Sequence, residues 1–245
     1  MRPIVVTGAN GSIGTALLAA LGPIIAQGID IEDWDITQPR PNEVEEHPFL
    51  VFHLAASKDA PEGEIDPLKV LQVNAVGTAN VLARWPDARV ILASTCKACD
   101  PETAYGASKL IAERMVLNAG GSVARFHNVI ETSGNVFAKW RKIPEGEPLP
   151  VTFCHRYFIH IEQAVDLLMA VARLKPGRYF TDPGPGRWMP DVVKEYHPGR
   201  EWKSIERRRG DRIREPLLAR NESVDMEGST GIPKILRIVN SHDRV

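Results

Sequence analysis

The chain has 245 residues, 43% hydrophobic and 25% charged, which suits a globular protein with one sizeable core. A formal net charge of −1 gives no electrostatic case for binding nucleic acid or a membrane surface, and no apolar run approaches the ~20 residues of a membrane-spanning helix. Three cysteines argue against a disulfide framework, and the first apolar strand starts too early for a signal peptide, so a cytoplasmic location is expected.

Ile4, Val5 and Val6 predict a short buried strand. It runs into Thr7, Gly8, Ala9, Asn10, Gly11, Ser12, Ile13 and Gly14, and residues 15–21 predict a helix. Glycines spaced G-x-x-G-x-x-G between a strand and a helix let the backbone turn tightly and approach a pyrophosphate, which sits among the unpaired N–H groups of the helix start. Gly8, Asn10, Gly11, Ser12, Ile13 and Gly14 are therefore candidate dinucleotide contacts. Residues 24–30 predict a second strand ending at Asp30, an acid suited to the adenosine ribose. No Arg or Lys follows before Arg40 to neutralise a 2′-phosphate, which favours NAD over NADP. Asp35 is either an adenine contact or an exposed loop acid.

Residues 49–54 form a continuous apolar strand closed by Ala55 and Ala56, and residues 66–83 predict a helix with an apolar stripe. Residues 89–93 predict the next strand, which delivers Ser94 and Thr95 to its carboxyl end, where open parallel sheets bind ligands. A helix over residues 105–117 and a strand over 123–126 follow. The alternation predicts an α/β fold, a Rossmann-type doubly wound parallel sheet. Residues 1–127 are read as the dinucleotide-binding core. Residues 128–245, richer in Pro, Gly and aromatics with one clear helix at 161–174, are read mainly as a smaller C-terminal substrate lobe that interleaves with the core.

Tyr105 and Lys109 are four apart, so on a helix they share a face. A cation beside a phenol favours phenolate, making Tyr105 a general base for an alcohol under oxidation, with Thr95 donating to the same oxygen. Cys96 and Lys97 follow Thr95 directly. Cys96, Cys99, Cys154 and His155 lack the paired knuckles of a zinc site, so no metal is expected, and the C-x-x-C flanks are not those of a thioredoxin-like dithiol. His53 reads as a satisfied core histidine. Arg207, Arg208 and Arg209 form too short a run to suggest nucleic acid.

Several blocks resemble a known family. One is Val51-Phe52-His53-Leu54-Ala55-Ala56-Ser57-Lys58, followed by Pro61, Glu64, Pro67, Asn74 and Gly77-Thr78-Ala79-Asn80-Val81. Others are Ser94-Thr95-Cys96-Lys97, Arg125-Phe126-His127-Asn128-Val129, Arg156-Tyr157-Phe158-Ile159, and Arg208-Arg209-Gly210-Asp211-Arg212 with Glu215. In this order they are similar to the extended short-chain dehydrogenase/reductases acting on nucleotide sugars, in the polysaccharide-biosynthesis branch that contains the inverting UDP-N-acetylglucosamine 4,6-dehydratases. The chain is shorter than typical members. It carries Cys96 where the branch has Asp, and His127 where it has Gly.

The resemblance implies an NAD-dependent dehydratase acting on UDP-N-acetylglucosamine or a close UDP-sugar. Tyr105 would take the 4-hydroxyl proton as hydride leaves carbon 4. A base then removes the carbon 5 proton, an acid helps the 6-hydroxyl leave, and hydride returns. By position Lys97 is the base and Cys96 the acid, with Thr95 and Lys109 completing the catalytic set. Ala55, Ala56 and Asn74 join the cofactor contacts, and a homodimer is expected. Lys58, Asn128, Arg156, Arg208 and Asp211 are implied as substrate contacts. Arg matches phosphate oxygens bidentately, although either Arg could instead form a surface ion pair, and Asn128 could be a turn former.

A thiol of reference pKa near ~8.5 holds its proton at neutral pH, whereas an Asp near ~3.9 would need roughly 4 kcal/mol of environment to do so. Lys97 as base must be neutral, which burial and nearby Lys109 would favour. Return of hydride to carbon 4 rather than carbon 6 would make a 5,6-dehydratase, as in tunicamycin-type pathways. If Cys96 is an inert filler, a 4-epimerase or a reductase of the same family remains. A non-enzymatic dinucleotide sensor is a further rival.

Overall fold

A computed structural model describes residues 4–39, 47–208, 210–230 and 234–240. The central sheet is built first from five parallel strands: β1 (Ile4–Thr7), β2 (Ala26–Ile29), β3 (Leu50–His53), β4 (Arg89–Thr95) and β5 (Ser122–Phe126). They lie in the order β2-β1-β3-β4-β5, as a doubly wound sheet requires. After Phe126 the chain leaves the sheet and later returns three times. Arg178–Thr181 pairs parallel to β5, Ile235–Asn240 pairs antiparallel to Arg178–Thr181, and Glu222–Thr230 closes the edge antiparallel to Ile235–Asn240. The fold is thus α/β with a parallel centre and an antiparallel edge, a common addition to large parallel sheets.

Alternation along the strands sends side chains to two cores. Ile4, Val6, Leu50, Phe52, Ile91 and Ala124 face helix α1 (Ser12–Leu21) and the helix Ile161–Val171, meeting Leu17, Leu167 and Leu168. Val5, Val51, Val90, Leu92 and Val123 face the opposite way, onto Val81 of Gly77–Arg84 and Val116 of Ala104–Asn118. Strands covered on both faces read as continuous apolar runs, which is why β1, β3 and β4 were recognisable. A separate cluster of Phe137, Trp140, Leu149, Val151, Met189 and Val192 forms the core of the smaller lobe.

The helix expected over residues 66–83 is divided into three segments, two α-helical and one of wider pitch. Pro67–Leu71 is α-helical, Gln72–Val76 is a π segment, and Gly77–Arg84 is α-helical again. Asp66 and Asp59 cap the starts of Pro67–Leu71 and Ala60–Ile65. The helix Met189–Tyr196, with Pro190 in its first turn, was not anticipated.

Buried charge fixes the join between the parallel sheet and its returning strands. Glu113 and Glu222 sit among Arg125 and Arg178, with Arg125–Glu113 at 2.7 Å, Arg125–Glu222 at 2.6 Å, Arg178–Glu113 at 2.9 Å and Arg178–Glu222 at 3.0 Å. All four side chains are at most 4% exposed. Two cations and two anions balance, which is what makes such burial tolerable.

Candidate active site

A cleft of about 620 Å³ opens along the carboxyl ends of the parallel strands. One end is lined by Gly8, Gly11, Ser12, Ile13, Gly14, Asp30 and Asp35, and the other by Thr95, Lys97, Tyr105, Lys109, His127 and Asn128. It lies at the point where strand order reverses between β1 and β3.

The dinucleotide end is shaped by close backbone approach. Gly8 has φ +71°, and a Cβ there would come within 2.6 Å of the Ala55 nitrogen. A Cβ on Gly14 would meet the Gly8 carbonyl oxygen at 2.3 Å. Helix α1 starts at Ser12, three residues earlier than expected, its N-cap is Gly11 with no side-chain cap, and Ser12, Ile13 and Gly14 of its first turn line the cleft. Asp30 accepts from the Asn10 nitrogen at 2.7 Å, tying the loop to the end of β2. Asn10 itself does not line the cleft; its role is this brace. Asp35 lines the cleft and caps its own turn by accepting from the Thr37 nitrogen at 2.9 Å. Arg40 lies outside the described residues. The glycine cradle, the uncapped helix start and the acid at the end of β2 fit a nicotinamide dinucleotide.

Ala55 and Ala56 line the middle of the cleft. Asn74 lies behind them, where the π segment turns it inward. It accepts from the Ser57 nitrogen and donates to the Ser57 carbonyl, both at 2.9 Å, and donates to Ser108 at 3.0 Å. It is a brace between the loop and the helix that carries Ser108. His53 is a core histidine, bonded to Thr7 at 2.7 Å and Thr78 at 3.0 Å, with burial and then Lys109 lowering its pKa to about 3.

The helix Ala104–Asn118 starts at a Thr103 cap that accepts from the Gly106 nitrogen at 3.0 Å. Gly106 lets it press on the preceding turn, since a Cβ there would meet the Lys97 carbonyl oxygen at 2.3 Å. This packing sets Tyr105 against Thr95 and brings Lys109 to the same wall. Burial lowers Lys109 to about 8, only partly offset by Glu113. Tyr105 differs from expectation: burial raises its pKa, and the cation working against that rise is Lys97, helped by Thr95.

Lys97 also differs. Its Nζ lies 2.7 Å from Glu215 Oε1, and its side chain keeps 27% exposure. Burial works against the ammonium, but Glu215 and then Cys96 raise Lys97 above the ordinary lysine range, so it is charged rather than neutral. Burial likewise opposes the Glu215 carboxylate, but Lys97, Arg156 and a hydrogen bond from Asn128 hold its pKa down at about 2. Cys96 is buried one layer behind the cleft wall, with Sγ 3.7 Å from Glu215 Oε2. Burial and then Glu215 push its thiol up to about 12, so it keeps its proton as expected.

The expected substrate contacts divide. Lys58 and Asn128 line the cleft. Lys58 donates to the Ser133 carbonyl at 3.0 Å, and Asn128 donates to Glu215 at 2.8 Å. Arg156 is turned inward instead, 3.5 Å from Glu215 and 3.6 Å from Asp211. Arg208 pairs with Asp211 at 3.0 Å. Arg208 makes the surface ion pair that was the alternative for it, whereas the pairs of Arg156 are buried, which was not anticipated. His127 lines the cleft beside Tyr157 and Phe180. Burial lowers it to about 4, and neither ring nitrogen has a hydrogen-bond partner among the described residues. Glu215 is the residue missed as a functional group, although it stood in the last family-like block.

Residues 29–239 match the model of the family described as polysaccharide biosynthesis protein. The chain belongs to that family. It is one of the extended short-chain dehydrogenase/reductases. The chain is 29% identical to a UDP-N-acetylglucosamine 4,6-dehydratase (inverting) of Campylobacter jejuni, over 71% of the chain and 57% of that enzyme. It is 28% identical to an uncharacterized membrane protein of Methanocaldococcus jannaschii, over 92% of the chain and 83% of that protein. Among the described residues no helix is long and apolar enough to cross a membrane. The fold is shared with TunA, an NAD-dependent NDP-hexosamine 5,6-dehydratase of tunicamycin biosynthesis, at TM-score 0.72 and 24% identity over 89% of this chain and 88% of that one.

Proposed function

We propose that this protein is an NAD-dependent nucleotide-sugar dehydratase acting on UDP-N-acetylglucosamine or a close UDP-sugar. The observation that carries the reading is a second set of proton-handling groups, Lys97, Glu215 and Cys96, beside the Thr95–Tyr105–Lys109 wall. Oxidation of an alcohol needs only Tyr105 and its neighbours. Elimination of water needs a further base and acid, and this cluster can supply them.

NAD rather than NADP is supported by Asp30, whose carboxylate would repel a 2′-phosphate. Gly8, Gly11, Ser12, Ile13 and Gly14 would hold the pyrophosphate, and Lys109 with Tyr105 would meet the nicotinamide ribose. The dinucleotide supplies a hydride acceptor at carbon 4 and the donor that later returns the hydride. Tyr105 takes the 4-hydroxyl proton, with Lys97 lowering the cost of the phenolate and Thr95 orienting the oxygen. The new ketone acidifies carbon 5, and Lys97 stands on the cleft wall to take that proton. A homodimer is proposed as well, supported by the exposed Leu68, Leu71 and Ile111 on the helices flanking the Tyr105 wall.

The test is to mix the dinucleotide-loaded protein with UDP-N-acetylglucosamine and follow the reduced-nicotinamide absorbance. A transient rise is expected in the wild type. Tyr105→Phe should slow it by about 100-fold or more. A wild type that shows no transient while the sugar is still converted would contradict the reading.

A further inference from the structure

Lys97 touches the cleft as an ammonium, which cannot accept a proton until it has given one up. The acceptor beside it is Glu215 Oε1, 2.7 Å away. Glu215 is buried, and its other oxygen is held by Asn128 at 2.8 Å and the Cys96 thiol at 3.7 Å. The charged and titratable groups facing Glu215 are Lys97, Cys96, Arg156, His127, Cys154 and Tyr105. Among them, Lys97, His127 and Tyr105 line the cleft, and Cys96 lies behind it with its S–H turned to Glu215.

We propose that Glu215 is a positioning residue that stores the proton of Lys97, so that one lysine both takes the carbon 5 proton and delivers a proton to the departing 6-hydroxyl. This rests on the dehydratase reading. The steps balance. One Nζ–H bond of Lys97 breaks as an O–H bond forms on Glu215, leaving an amine beside a carboxylic acid. The amine takes the carbon 5 proton, and the C–H electron pair passes into the enolate of the carbon 4 ketone. The ammonium so formed gives a proton to the 6-hydroxyl. As the carbon 6–oxygen bond breaks, its electron pair leaves with water, and the enolate pair becomes the carbon 5–carbon 6 double bond. Glu215 then returns its proton to Lys97. One proton has moved from carbon 5 to the departing oxygen and the cluster is restored.

Carbon 5 and the 6-hydroxyl are neighbours on the sugar, so one amine can serve both from one face. The first hop is uphill from the resting ion pair, and less steeply so when the sugar fills the cleft, because Lys97 then loses solvent contact along its 27% exposed side chain, which stabilises separated charges. Cys96 is assigned the lesser task of donating to Glu215 Oε2, which accounts for a thiol serving where the branch has an acid.

The experiment uses the dinucleotide-loaded protein with UDP-N-acetylglucosamine and reads two signals, the reduced-nicotinamide transient and loss of water by mass. Glu215→Gln should still give the transient while water loss falls about 100-fold or more. Its residual water loss should rise with pH, as Lys97 loses its neighbouring carboxylate and becomes neutral more readily. Glu215→Asp should recover part of the loss, and Cys96→Ala should slow water loss by less than ~10-fold. Faster water loss in Glu215→Gln at neutral pH would overturn the proposal, since Glu215 would then only hold Lys97 charged. Loss in Cys96→Ala as deep as in Glu215→Gln would overturn it by making Cys96 the acid. A wild type without any transient would count against the dehydratase reading itself and not against the relay alone.

Discussion

Replacing Glu113 by Gln would leave Arg125 and Arg178 buried with one carboxylate, Glu222, between them. Glu113 now takes two hydrogen bonds from Arg125 at 2.8 and 2.7 Å, one from Ser94 at 2.6 Å, and the Arg178 guanidinium at 2.9 Å. Removing one partner of a buried pair costs roughly 3–5 kcal/mol, mostly from the charge left behind. At this length a loss of 1 kcal/mol lowers the melting temperature by about 2 °C, so Glu113→Gln should melt about 6–10 °C lower. The assay is urea and thermal denaturation, with Glu113→Gln combined with Arg178→Met as the second arm. Removing the surplus cation should return part of the loss, so the two changes should not be additive. A loss below ~1 kcal/mol, or strict additivity, would refute the view that this network is a charge-balanced unit joining the parallel sheet to its returning strands.

Other predictions follow from single groups. Lys109 titrates at about 8 in the fold against an ordinary lysine value near ~10.4, so the unfolded chain binds more protons between these values and stability should rise with pH across that window. Without dinucleotide, Lys109→Met should therefore be more stable at pH ~7 by about 3 kcal/mol, and the gain should vanish above pH ~10.4; equal stability at both pH values would contradict the burial argument. Asp30→Ala should weaken NAD binding by about 10-fold or more and narrow the preference over NADP, measured by titration of each; unchanged affinity would remove Asp30 from the ribose site. Gly14→Ala should reduce dinucleotide affinity with the sheet still folded, because its Cβ would meet the Gly8 carbonyl at 2.3 Å, and wild-type affinity there would contradict the tight cradle.

Local signals made the dinucleotide end legible. Ile4, Val5 and Val6 are buried on both faces, and the glycines mark where backbones meet, so strand, turn and helix could be read without tertiary knowledge. Tyr105, Lys109 and Thr95 were legible for the same reason, since one helix and one strand end place them. Glu215 was not, because it reaches Lys97 across 118 residues of chain and no local pattern predicts that pairing. Its trace was its place in the last family-like block, after Arg208 and Asp211, where the sequence assigns it no role. Arg156 turned inward because two buried carboxylates compete for it. Met189–Tyr196 escaped because Trp188 and Pro190 read as loop, although Pro in the first turn with Asp191 is a helix-start signal. The π segment was hidden because its apolar spacing differs from α by one residue per turn.

The most direct measurement is mass spectrometry and proton NMR of UDP-N-acetylglucosamine after incubation with the NAD-loaded protein. The account predicts loss of one water, with a 6-methyl signal if hydride returns to carbon 6 and exocyclic vinyl signals if it returns to carbon 4. An unchanged mass with inverted ring couplings at carbon 4 would contradict it, and would make the protein an epimerase in which Lys97 and Glu215 serve Tyr105 alone.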